Sequence, residues 1–150
     1  MFTRVLTVCM GNVCRSPMAA ALLAERLARR GVAVTVESAG IHALVGRPAE
    51  PEAQALLRER GLDLSRHRAR QLTAEILRGF ELVLVMEERH ERAVHQLVPG
   101  SRGRVHRVGK FGGFDVPDPY RRERAEFERA LALIEEGLSD FEEAFWPARH

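Results

Sequence analysis

Short apolar runs rich in β-branched residues alternate with helical segments along nearly the whole chain, and this alternation is the tightest constraint on its fold. "RVLTVC" (Arg4–Cys9) reads as a buried strand. "SPMAAALLAERLARR" (Ser16–Arg30) reads as a helix, with Ser16 as its N-cap, Pro17 in its first turn and Gly31 as its stop. The same reasoning predicts a strand over Val32–Gly40, a helix over Glu50–Gly61 and a short helix over Thr73–Phe80. It continues with a strand over Glu81–Met86, a helix over Glu87–Val98 and a short strand over Arg104–Val108. A loop, "GKFGGFDVPDPY", then leads to a last helix from Glu123 to Trp146. This order predicts one α/β domain over residues 1–150, a four-stranded parallel sheet with helices on both faces and right-handed crossovers. Open α/β sheets bind ligands beyond the carboxyl ends of their strands. Cys9 ends the first strand, so the loop after it lies on that rim.

A net charge of +2 gives no global field to attract nucleic acid or a membrane surface. No apolar run approaches the roughly 20 residues of a membrane span, so no membrane insertion is expected. The start, "MFTRVLTVCM", lacks the layout of a signal peptide, and a soluble cytoplasmic protein is expected. Two cysteines cannot build a disulfide framework, and both fall in one stretch, "VCMGNVCRSP". No Gly-Lys-Ser/Thr follows, which excludes a Walker loop. No histidine pair has zinc-ligand spacing, and His90 and His95 read as surface residues of a helix, so no metal is expected.

The loop Met10, Gly11, Asn12, Val13, Cys14, Arg15, Ser16 joins a strand to a helix N-terminus. Backbone N–H groups and the helix dipole make such a place attractive to anions. Gly11 permits a tight turn and Asn12 tolerates a left-handed conformation, so the loop can wrap into an anion cradle. Arg15 adds a planar fork that grips two oxygens of a phosphate. The same field favours a thiolate at Cys9, which would face the bound phosphorus as a nucleophile.

With the loop "VCMGNVCRSP", the segments "ESAG" (Glu37–Gly40), "VGRPAEP" (Val45–Pro51), "HRARQLT" (His67–Thr73) and "DVPDPY" (Asp115–Tyr120) resemble the low-molecular-weight protein tyrosine phosphatases in order and spacing. The resemblance implies hydrolysis of phosphotyrosine through a phosphocysteine intermediate, without metal or cofactor. It implies Cys9 as nucleophile, Arg15 as phosphate ligand and Asp118 as general acid, with Ser16 hydrogen-bonded to the Cys9 sulfur. Asn12, Ser38 and His67 match a polar network that supports the loop. Asp115 lies close to Asp118, but the family carries its acid in Asp-Pro-aromatic, here Asp118-Pro119-Tyr120. A carboxylic acid there suits the chemistry, because a phenolate leaves poorly unless it is protonated as the P–O bond breaks.

Tyr120 forms one wall of the expected pocket and Leu44 the other, where many relatives carry an aromatic residue. Leu44, with Arg121 where animal members have a second tyrosine, is similar to bacterial members that act on the tyrosine kinases of polysaccharide export. A phosphotyrosine protein, such as a bacterial tyrosine kinase, is then the expected partner. Cys14 is the expected redox partner of Cys9, since a nearby thiol can trap an oxidised thiolate as a reversible disulfide. Two other readings remain open at this level. One is an arsenate reductase of the same fold that uses an external thiol. The other is a non-catalytic module that binds phosphotyrosine or another anion.

Overall fold

Strand β1 (Arg4–Cys9) lies inside a parallel sheet of order β2-β1-β3-β4, with β2 at Thr35–Gly40, β3 at Leu82–Val85 and β4 at Val105–Arg107. The computed structural model describes residues 2–148. Alternate side chains of the central strands point to opposite faces, and both faces are apolar. Val5, Cys9, Leu82 and Leu84 pack with α1 (Arg15–Arg29), α2 (Pro51–Glu59) and α5 (Arg124–Phe145). Leu6, Val8, Val83 and Val85 pack against α3 (Ala74–Arg78) and α4 (Glu88–Leu97). The chain passes from β1 to β2 on one side and later enters β3 on the other. The carboxyl ends of β1 and β3 therefore flank a switch point, the place where such sheets bind ligands.

Three expectations need correction. The second strand begins at Thr35, not Val32. Gly31, at φ 71°, closes α1 and the Val32 N–H turns back to the Leu27 carbonyl at 3.0 Å, so Val32 belongs to the helix stop. Ser16 is not an N-cap: helix α1 starts at Arg15, and Cys14 holds the cap position without a side-chain cap bond. His90 is not a surface residue but fully buried, and His95 is half-buried. At the start of α4, the Glu87 side chain accepts from the backbone of His90, while the His90 ring accepts from the Glu87 N–H at 3.2 Å. This capping box folds His90 inward beneath the switch point.

Candidate active site

The loop after β1 is clamped by its carbonyl groups. The Cys9, Met10, Gly11 and Val13 carbonyls accept from the N–H groups of Ile41, His42, Leu44 and Glu50, at 2.9–3.0 Å. The Asn12 carbonyl accepts from His67 Nε2 at 2.7 Å. In a trans peptide the N–H points away from the carbonyl of the same unit. With the carbonyls bound outside, the N–H groups turn to the inner side of the loop, which is the geometry of an anion cradle. Gly40 lets β2 approach this loop: a Cβ there would stand 2.8 Å from the Met10 carbonyl oxygen and 3.0 Å from Asn12.

Asn12 holds the loop from behind. It is fully buried at φ 60°, a conformation asparagine tolerates better than most residues. Its Nδ2 donates to Ser16 Oγ at 2.8 Å and Ser38 Oγ at 2.9 Å, and its Oδ1 accepts from the Arg70 N–H at 2.9 Å. Ser16 Oγ lies 2.9 Å from Cys9 Sγ, and the Ser16 N–H donates to the same sulfur at 3.4 Å. Thus the serine expected to cap the helix has its hydroxyl committed to the sulfur. Burial pulls the His67 pKa down, so a neutral ring donates to the Asn12 carbonyl.

Arg15 is almost wholly buried, and the sequence left its partners unseen. Its Nη1 donates to Glu87 Oε2 at 2.6 Å and to the Val116 carbonyl at 2.7 Å. Its Nη2 lies 3.6 Å from Asp118 Oδ2. Glu87 follows β3, so it reaches the site through the switch point. Burial works against its charge, but bonds from Arg89 and Arg15 outweigh that and hold its carboxyl below the usual range. Behind it, His90 Nδ1 accepts from the Glu87 N–H, and Nε2 lies 3.5 Å from Glu87 Oε2. Burial, followed by the Arg15 charge, lowers the His90 pKa to about 4. The readable signal was Glu-x-x-His at the mouth of a helix, a capping box with histidine as its second member.

The two aspartates separate cleanly. Asp115 Oδ1 accepts from Arg107 Nη1 at 2.9 Å and from the Glu88 N–H at 3.2 Å, mooring the loop to β4 and α4. Asp118 instead borders a cavity of about 130 Å³ together with Cys9, Arg15, Leu44 and Tyr120. Met10, Gly11, Val13, Cys14 and His42 complete its lining, and His42 was not foreseen. Burial, then the charges of Cys9, Asp118 and Glu50, push the Cys14 thiol far up, so it stays protonated. Both cysteines are free. A larger cavity, about 780 Å³, lies between the first residues and the end of α5, but among the described residues no thiol or carboxylate lines it. Among the described residues, no three His, Cys, Asp or Glu side chains converge as metal ligands would.

Residues 4–146 match the family profile described as low molecular weight phosphotyrosine protein phosphatase. The chain belongs to this phosphatase family. It is 44% identical over 138 residues to the probable low molecular weight protein-tyrosine-phosphatase EpsP of Ralstonia solanacearum, covering 92% of each chain. It is 41% identical to the phosphatase Wzb of Salmonella typhimurium, covering 96% of this chain and 95% of that one. The structure of Vibrio vulnificus Wzb in complex with benzylphosphonate superposes with a TM-score of 0.90 at 35% identity, over 97% of this phosphatase and all of that chain.

Proposed function

We propose that the protein hydrolyses phosphotyrosine in a protein substrate through a phosphocysteine at Cys9. The observation that carries this reading is the convergence of a thiol, a guanidinium and a carboxyl group on one small cavity with Tyr120 and Leu44 as its walls. The inward N–H groups and Arg15 hold the phosphate dianion and stabilise the charge that spreads over its oxygens as it transfers. The Cys9 sulfur attacks phosphorus, Asp118 protonates the departing tyrosine oxygen, and the same group then takes a proton from the water that releases phosphate. Ser16 Oγ, 2.9 Å from the sulfur, donates to it as it leaves as thiolate. Asn12, Ser38 and His67 keep the loop in shape for both steps. The binding of benzylphosphonate, an aromatic phosphonate, by Vibrio vulnificus Wzb supports an aryl phosphate in the equivalent cavity.

The similarity to EpsP and Wzb, with Leu44 in the cavity wall and Arg121 beside Tyr120, supports a bacterial cytoplasmic enzyme acting on a tyrosine kinase of polysaccharide export. Cys14 lines the same cavity as Cys9, which supports its role in trapping an oxidised Cys9 as a disulfide. The test is to assay p-nitrophenyl phosphate and phosphotyrosine peptides beside arsenate with a thiol reductant. The phosphate esters should turn over, and acid-quenched protein should carry phosphate on the Cys9 peptide. Cys9→Ser should abolish turnover while still binding phosphate. Arsenate reduction without ester hydrolysis, or substantial turnover by Cys9→Ser, defeats the proposal.

A further inference from the structure

The residues after Asp118 form a turn that carries a side chain where none is favoured. The Arg122 N–H closes it on the Pro119 carbonyl at 2.8 Å, and Asp118 Oδ1 pins its first half by accepting from the Tyr120 N–H at 3.0 Å. Of its two central residues, Arg121 alone has positive φ, at 63°. That is the type II pattern, whose third position belongs to glycine because a Cβ is strained there. Strained backbone persists where the surroundings over-determine it, and it gathers at binding sites. The side chain kept at this cost is placed over the Tyr120 ring, with Cζ at 5.3 Å from the centroid. Tyr120 is a wall of the cavity, so an exposed cation stands against the ring that forms that wall.

Among the described residues, this cation has no carboxylate of its own. Arg124, three residues on, pairs with Glu59 at 2.5 Å, but none of the ion pairs among the described residues involves Arg121, Arg122 or Arg47. All three are exposed. Arg47 follows Leu44 on the opposite wall, its N–H bonded to the Leu44 carbonyl at 3.0 Å. A phosphotyrosine seated between Leu44 and Tyr120 would hold its neighbouring residues against unpaired guanidiniums.

We propose that Arg121 is a specificity-determining residue that takes a carboxylate flanking the phosphotyrosine, so the enzyme prefers acidic peptides. The proposal rests on the phosphotyrosine phosphatase reading. Its test compares kcat/KM for three phosphotyrosine peptides, identical except for Glu, Ala or Lys beside the phosphotyrosine, with p-nitrophenyl phosphate as the unflanked reference. The parent should favour Glu over Lys by about two- to fivefold at low salt, the scale of an exposed ion pair, and salt should erode the preference. Arg121→Gly relaxes the turn, so it should fold, and it should bring the Glu/Lys ratio close to one. Arg121→Lys should keep part of the ratio, and Arg121→Glu should invert it. Taking the ratio within each variant cancels any general change in activity. A parent ratio of one, or a ratio that survives Arg121→Gly, overturns the role of Arg121 alone. No turnover of any peptide or of p-nitrophenyl phosphate overturns the phosphatase reading beneath it.

Discussion

Glu87→Gln isolates the counter-ion that Arg15 uses when no phosphate is bound. The pair is short, at 2.6 Å, and its side chains are 1% and 17% exposed. Removing one partner of a buried pair costs about 3–5 kcal/mol, because the remaining charge is left without compensation. Glutamine retains an acceptor oxygen, Glu87 is partly wet, and the Val116 carbonyl and Asp118 still face the guanidinium. The expected loss is therefore nearer ~2 kcal/mol. For a chain of this size that corresponds to a fall in Tm of about 4–8 °C. Phosphate should act in the opposite sense. A dianion in the cradle supplies the charge that the substitution removed, so added phosphate should raise Tm more in Glu87→Gln than in the parent. Thermal melts over a phosphate series, at constant ionic strength, read both effects. A variant that melts with the parent, or gains no more from phosphate than the parent does, would refute the counter-ion account. A loss of stability without the enhanced response to phosphate would leave Glu87 as a helix cap only.

Asp118→Asn should lower kcat by roughly 10²–10⁴ on phosphotyrosine, and less on esters with more acidic leaving groups, whereas Asp115→Asn should cost under about tenfold because asparagine keeps the mooring acceptor. Steady-state kinetics on a leaving-group series check this, and the reverse ranking would move the acid to Asp115. His90 titrates near 4 in the folded chain against 6.5 unfolded, so the unfolded state takes its proton first as pH falls. Stability should accordingly drop from about pH 6.5 towards pH 4, by up to ~1.4 kcal/mol per pH unit for this one proton. His67 and His106 are shifted the same way, so urea melts of His90→Gln should show a shallower slope, not a flat one. An unchanged slope would remove His90 from the acid response.

The strands were readable because all their neighbours reward the same pattern. β1 is apolar on both faces and lies between two parallel strands, so its run of β-branched residues has one sensible state. Boundaries were less readable where one residue serves two neighbours, as Val32 does when the helix stop claims it before the strand begins. The loop after β1 was readable as a local string, since seven consecutive residues, Cys9 to Arg15, carry its thiol, turn and guanidinium. Ser38 and His67 were reached through the family resemblance, but the anchors of Arg15 were not read, because Glu87 and the Val116 carbonyl meet it across 72 and 101 residues of sequence. His90 misled for a related reason: histidine on a charged helix reads as solvated until the reciprocal cap turns it inward.

The chain order of these parts bears on how the enzyme comes into being. Cys9 and Arg15 leave the ribosome before the side chains that shape their loop, which follow at Ser38, His67 and Glu87, and the carbonyl of Val116 comes later still. A growing chain therefore carries the whole reactive string long before it can wrap around a phosphate. Each distant partner must first be brought back across the sheet, at the cost in loop closure that slows non-local contacts. The cradle is complete only when the last of these arrivals has docked. Any chemistry that needs the completed cradle is thereby tied to the finished fold.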